Sequence, residues 1–156
     1  LDEIMPANVT TVYSDPHAIE RYAVQADLVV GAILVPGEKA DQLINRDLLR
    51  EMKKGAALVD VCIDQGGCSE TSHPTTHSDP IYVDEEVVHY CVTNMPGAVG
   101  RTSSQALCNA TLPYCREIAQ IGLDAFISIS NCRKLALIMR HGELLHPGVV
   151  HSFPDL

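Results

Sequence analysis

Apolar residues follow two rhythms along this chain. Up to Val92 they gather in short unbroken runs, and beyond Gly100 they recur every three or four positions. Residues 27–33 and 56–63 are almost continuously apolar, and residues 87–92 are similar. Runs without polar alternation suit strands covered on both faces, as in a parallel sheet. Residues 9–13, Val-Thr-Thr-Val-Tyr, are β-branched and predict a further strand. Helical patterns separate the runs. Ser14-Asp15-Pro16 is a helix start with proline just inside the first turn, and Ile19, Tyr22 and Ala23 then repeat at helical spacing. A second helix follows Asn45, which caps it, and stops at Gly55. Strand, helix, strand, helix, strand describes half of a doubly wound α/β domain.

Beyond Pro96 the texture changes. Arg101-Thr102-Ser103 opens a helix in which Leu107, Thr111, Tyr114, Ile118 and Ile121 keep a stripe, the mark of a packed helix face. Pro113 lies within it and predicts a kink or two abutting helices. Gly122 ends the stripe, a short helix follows from Asp124, and Gly142 marks a turn. This places a domain boundary near Gly100.

Chemistry gathers where strands end. The segment 60–67, Asp-Val-Cys-Ile-Asp-Gln-Gly-Gly, runs from an apolar strand into Asp64 and two glycines. In open parallel sheets ligands sit beyond the carboxyl ends of strands, and Gly66 and Gly67 would let the backbone turn sharply and approach one. An Asp that merely begins a turn is the commoner reading of that local pattern. Leu34-Val35-Pro36-Gly37 and Asn94-Met95-Pro96-Gly97 are two more strand-end turns, each of which also reads as a plain turn. Their convergence on one sheet edge would favour a site. His73 and His77 sit in a Pro/Thr/Ser loop and read as solvated, while His89 reads as a core or substrate-edge residue. No H-E-x-x-H or comparable ligand spacing occurs, so no metal site is assigned. Ser103-Ser104 is not a nucleophile elbow.

Composition narrows the function classes. The 156 residues are 46% hydrophobic and 20% charged, enough for a buried core. The net charge of −9 and the lack of any Lys/Arg run argue against nucleic-acid or anionic-membrane partners. No apolar run approaches the roughly 18 residues of a membrane span. The six cysteines include no C-x-x-C pair and read as small buried hydrophobes in a reducing compartment. G-x-G-x-x-G does not occur among the ten glycines, so the phosphate-binding turn of a dinucleotide domain would lie upstream. Leu1 at the start fits a piece of a longer chain.

These segments together resemble the alanine dehydrogenase family, which includes the α subunit of NAD(P) transhydrogenase. The resemblance rests on residues 26–37, on Val59 to Gly67, and on Thr75-Thr76-His77. Val88-His89-Tyr90, residues 94–99, Arg101-Thr102-Ser103 and Thr111-Leu112-Pro113-Tyr114 continue it. The tail from His146 to Leu156 resembles the family's C-terminus. It implies the second half of a Rossmann-like doubly wound parallel sheet, with residues 1–100 in the NAD-binding domain. Residues 101–156 would be helices that return to the substrate domain. It implies NAD as cofactor and reversible oxidative deamination of L-alanine to pyruvate and ammonia, in a cytoplasmic homo-oligomer, commonly a hexamer. By the same resemblance Asp64 is catalytic and lies beside the cofactor, and Ser14 contacts the adenosine part of NAD. Ile33, Leu34, Val61, Cys62, Ile63, Val92, Thr93, Asn94 and Met95 would line the cofactor. His73 stands where the family has an NAD-contacting arginine, and Gly100 where it has a proline. The family's catalytic histidine and its substrate-binding lysine and arginine would belong to an N-terminal half outside this chain. Two alternatives stay open. A transhydrogenase subunit would favour Glu at position 64 and a different segment around Asn94-Met95-Pro96. A non-catalytic relic of the family is the other.

Overall fold

A computed structural model describes residues 3–154, so the expectations at Leu1, Asp155 and Leu156 lie outside the described residues. The chain forms two compact units, Leu1–Ile33 with Asp41–Thr93, and Leu34–Ala40 with Asn94–Leu156.

The first unit is an α/β half-sheet. It contains α1 (Pro16–Ala23), β1 (Leu28–Gly31), α2 (Arg46–Glu51), β2 (Ala57–Asp60), β3 (Ile81–Asp84) and β4 (Val87–Tyr90). The sheet order is β1-β2-β4-β3. As the two longest apolar runs predict, β1 and β2 pair in parallel, from Leu28↔Ala57 to Gly31↔Asp60. Strand β4 joins β2 in parallel, with Ala57 opposite Val88. Both helix starts follow their sequence signals. Pro16 opens α1 and Asp15 Oδ1 accepts from Ala18 N at 2.9 Å, while Asn45 Oδ1 accepts from Leu48 N at 2.8 Å. Leu48, Leu49 and Met52 pack with Ala23, Ile44, Leu58 and Val87 to form the core. Burying each such leucine is worth about 1.5–3 kcal/mol.

Three expectations about this unit are corrected. Residues 9–13 are not a strand, because Val9, Val12 and Tyr13 all face solvent and give it no buried side. The run 56–63 stops being a strand at Asp60, and Val61–Gln65 wind into a 3-10 turn. Strand β1 is not covered on both faces, since Leu28 and Val30, alternate residues, are each 55% exposed. Strand β3, for which no expectation was made, pairs antiparallel with β4 and adds a mixed edge to the parallel sheet. Glu85 and Glu86 form the connection with φ of 47° and 61°, a left-handed conformation that costs non-glycine residues on the order of 1 kcal/mol each. Arg46 and Arg50 hold Glu85 at 2.8 and 3.1 Å, and Lys54 holds Glu86 at 2.7 Å.

The second unit is mostly helical. It contains α3 (Gly100–Ile121), α4 (Leu123–Ser128), α5 (Asn131–Leu135), β5 (Met139–Arg140), β6 (Glu143–Leu144) and α6 (Pro147–Ser152). Helix α3 runs as one element through Pro113 rather than as two. Its stripe is not a packed face, since none of the helix's residues is buried and Leu107 is 65% exposed. Its N-terminal part touches the turn at residues 95–99, where Ser103 meets Pro96, and its C-terminal part meets α4 and α5. Tyr114 meets Phe126 edge-on at 6.4 Å, and Glu117 holds Arg133 at 2.8 Å. For the same reason Cys108, Cys115 and Cys132 are exposed, contrary to the reading of every cysteine as a buried hydrophobe. The segment Leu34–Ala40 is anchored by Lys39 N donating to Ser152 Oγ at 3.2 Å, and the His146 ring occupies the space a side chain at Gly37 would need.

Candidate functional site

Because β1, β2 and β4 run parallel, their carboxyl ends share one edge of the first unit. Ile33 lies just past β1, the segment Val61–Asp64 just past β2, and Val92 and Thr93 just past β4. Ile33 N donates to Cys62 Sγ at 3.3 Å and ties the first two ends together. Thr75 N donates to Cys91 O at 2.9 Å and Thr93 N to Thr75 O at 3.2 Å, fixing the third. The edge has an exposed rim and a closed floor. Asp64 and Val61 face solvent, whereas Cys62, Ile63 and Val92 are buried. The 3-10 turn presents Asp64 because Gly66, at φ 104°, ends it in a left-handed cap that only glycine adopts cheaply. Gly67 serves the fold instead, since a side chain there would meet Ser72 and Asp60 within 3 Å.

Ser14 lies elsewhere on the same unit. Asp15, not Ser14, caps α1, and Ser14 lines a groove of about 440 Å³ with Val12, Tyr13, Ile19 and Tyr22. Leu34, Asn94 and Met95 belong to the second unit. Leu34 is exposed there, and Asn94, left-handed at φ 52°, opens the 3-10 turn Met95–Val99. Asn94 lines a groove of about 660 Å³ with Pro96, Gly100, Ser103 and Leu107, in which Ser103 Oγ donates to Pro96 O at 2.9 Å.

Behind Asp64 lies a buried polar layer, in which sequence reasoning singled out His89 and missed Asp60. Asp60 and His89 are fully buried. His89 is a satisfied core residue, with Nε2 at 2.8 Å from Thr71 Oγ1 and Nδ1 at 2.9 Å from Val87 O. Tyr82, stacked on His89, donates to Thr71 O at 2.8 Å, and burial pushes its phenol up. His73 is exposed and stacks on the other side of Tyr82 at 3.7 Å. Asp60 Oδ2 accepts from Cys68 N at 2.8 Å and from Ser72 Oγ at 2.6 Å. An acid inside an unbroken apolar run was the available signal, since such a residue is either paired or functional.

Three parallel strands, helices, and a solvent-facing acid at the carboxyl edge define a Rossmann-like α/β unit. Residues 1–147 match the model of the family described as alanine dehydrogenase/PNT, C-terminal domain, and the chain belongs to that family. It is 48% identical over 153 residues to an alanine dehydrogenase of Halomonas elongata and 46% identical over 154 to one of Staphylococcus haemolyticus. Each match covers 98% of this chain and 41% of the relative, so the chain spans well under half the length of these relatives. Among solved structures an L-alanine dehydrogenase superposes with a TM-score of 0.77 at 44% identity, covering 99% of this chain and 42% of that one. A transhydrogenase from Sinorhizobium meliloti superposes at 0.61 with 19% identity, covering 86% and 36%, and shares the fold. The transhydrogenase alternative is therefore less favoured than the alanine dehydrogenase reading. No described helix is long and apolar enough to cross a membrane.

Proposed function

We propose that this chain carries the carboxyl-edge part of the NAD site of an L-alanine dehydrogenase, an oxidoreductase acting on a CH–NH2 donor. Residues 1–100 belong to its NAD-binding domain, and residues 101–156 return to its substrate domain. The reaction is reversible oxidative deamination of L-alanine to pyruvate and ammonia, in a cytoplasmic homohexamer. The observation that carries this reading is the exposed Asp64 at the shared strand edge of a chain 48% identical to an alanine dehydrogenase. The residues present fit part of the cofactor. Ile33, Val61, Cys62, Ile63, Val92 and Thr93 form the floor and rim on which a flat ring can lie, and in the second unit Leu34, Asn94 and Met95 are proposed as further cofactor contacts. The groove at Ser14 suits an adenosine. When bound, NAD accepts the hydride from the substrate's α-carbon.

What remains falls to the chain's own groups. Deamination needs water to attack the iminium carbon and protons to move between that water and the departing amine. Asp64 carries its carboxylate on a turn ended by Gly66, so it can orient the water, steady the developing positive charge, or relay a proton. Buried Cys62 and Ile63 keep the turn from shifting. Without a G-x-G-x-x-G of its own, the chain by itself should bind NAD weakly and should give no alanine-dependent NADH formation.

The test is a chimera in which this chain replaces the matched portion of the Halomonas elongata alanine dehydrogenase. It should form NADH from NAD with alanine. Asp64→Asn in that chimera should lower turnover about 10²-fold or more and leave the thermal melt unchanged. Inactivity in a chimera that folds would sink the assignment. Near-normal turnover of the variant would make Asp64 a turn residue only.

A further inference from the structure

The floor beneath the Asp64 turn holds an arrangement that the proposed reaction does not use. Asp60, Cys62 and Cys68 are each buried, and one carboxylate oxygen and the two sulfurs lie within 4.8 Å of one another. Asp60 Oδ2 is already engaged by Cys68 N and Ser72 Oγ. Asp60 Oδ1 is buried with no hydrogen-bond partner. A carboxylate taken fully out of water with an unmatched oxygen costs several kcal/mol unless a cation or strong donors meet it. The groups that face it here are thiols, which are weak donors. Gly31 lies against the cluster, and any side chain there would collide with Cys68 Sγ.

We propose that Asp60 Oδ1, Cys62 Sγ and Cys68 Sγ form a binding site for a thiophilic divalent cation of the zinc class. Two thiolates and one carboxylate are a familiar donor mixture for such an ion and leave a fourth position for water. A tetrahedral ion sets its ligand atoms about 3.5–3.8 Å apart, so small side-chain rotations close the site. The charge balance favours the exchange. One divalent ion enters and two thiol protons leave, so the buried cluster keeps the net charge it has with Asp60 alone. Burial, and after it the Asp60 carboxylate, pushes the Cys68 thiol far up, and burial does the same to Cys62. The ion would pin residues 60–68, the stretch that presents Asp64. Sequence reading assigned no metal because this donor set, spaced by two and then six residues, matches no common ligand motif.

The test uses cobalt(II) as a coloured probe, in the chain with the exposed Cys108, Cys115 and Cys132 changed to Ser. One equivalent should produce a thiolate-to-cobalt charge-transfer band and tetrahedral d–d bands, both abolished by one equivalent of zinc. Cys62→Ala and Cys68→Ala should each remove the charge-transfer band or weaken it severely, while Cys91→Ala should leave it intact. Release of two protons predicts an apparent affinity that rises about 100-fold per pH unit near neutrality. A folded protein, checked by circular dichroism, that shows no charge-transfer band would overturn the proposal. So would a band that survives the Cys62→Ala/Cys68→Ala double change. The pH slope is read on the chain with both thiols intact, so it decides the matter even if those variants do not fold, and a slope of one proton or none would count against the site.

Discussion

The first unit buries Leu49, Leu58, Val87 and Val92 completely, whereas α3, the longest helix of the chain, buries none of its 22 residues. Both regions are written in clear apolar patterns. The difference lies in what covers them. In the first unit α2 and the sheet supply each other's apolar neighbours within one stretch of chain. In the second, the stripe from Leu107 to Ile121 meets α4 and α5 at its far end, around a groove of about 640 Å³ lined by Tyr114, Ile118 and Phe126, and lines an open groove beside Pro96 at Leu107. Periodicity identifies the face of a helix that is apolar, and it does not say whether the same unit covers that face.

The contrast is broken most directly by truncating a leucine in each region. Leu58 is fully buried between β1 and β4, and Leu58→Ala should cost about 2–5 kcal/mol in urea unfolding. Leu107→Ala, at an exposed position, should stay within about 0.5 kcal/mol. Comparable losses at the two sites would mean that α3 is covered in solution.

Helix caps sharpen the comparison at a smaller scale. Asn45 caps α2 through its side chain, and Asn45→Ala should cost about 1 kcal/mol. Val99 precedes α3 and makes no such bond, so Val99→Ser should add a few tenths to about 1 kcal/mol. Thermal melts of the two variants should move in opposite directions.

The smallest effect concerns acid. In the first unit Arg50 and Arg46 hold the Glu85 carboxyl below its ordinary value, and in the second Arg140 does the same for Asp124. A carboxyl depressed by folding stabilises above its unfolded pKa, about 4, and loses that contribution as pH falls through the lower folded value. Urea midpoints should therefore fall modestly below about pH 4. Glu85→Gln and Asp124→Asn should each flatten part of that decline. An unchanged acid slope in both variants would show the pairs to be without effect, as exposed ion pairs often are.

Much of the sheet was legible because β1, β2 and β4 are runs of apolar residues whose pairing partners lie in similar runs. What escaped was set by partners rather than by local pattern. Strand β3, Ile-Tyr-Val-Asp after a Pro/Thr/Ser loop, exists because β4 offers it an antiparallel edge. Val61 to Ile63 continue an apolar run, yet the chain has already turned, and no residue type in the run marks the change before Gly66. At the site, the exposed position of Asp64 followed from the strand-end pattern. The Asp60–Cys62–Cys68 cluster did not, because cysteines read singly pass for small hydrophobes and only folding brings a carboxylate beside two of them.

The Glu85–Glu86 turn carries a consequence for the order of folding. A hairpin with a two-residue connection, such as β3–β4, closes the shortest loop in the sheet and would ordinarily be the first pairing to form. Here both connecting residues must enter a conformation they disfavour, and the groups that hold them there, Arg46, Arg50 and Lys54, come from α2 and the residues after it. The hairpin's kinetic head start is thus surrendered until α2 arrives, and hairpin and helix should enter the transition state together. Substitutions at Val83 and Leu48 should then slow folding in equal proportion to the stability each removes, with a high ratio at Val83 and a low one at Leu48 arguing that the hairpin closes alone.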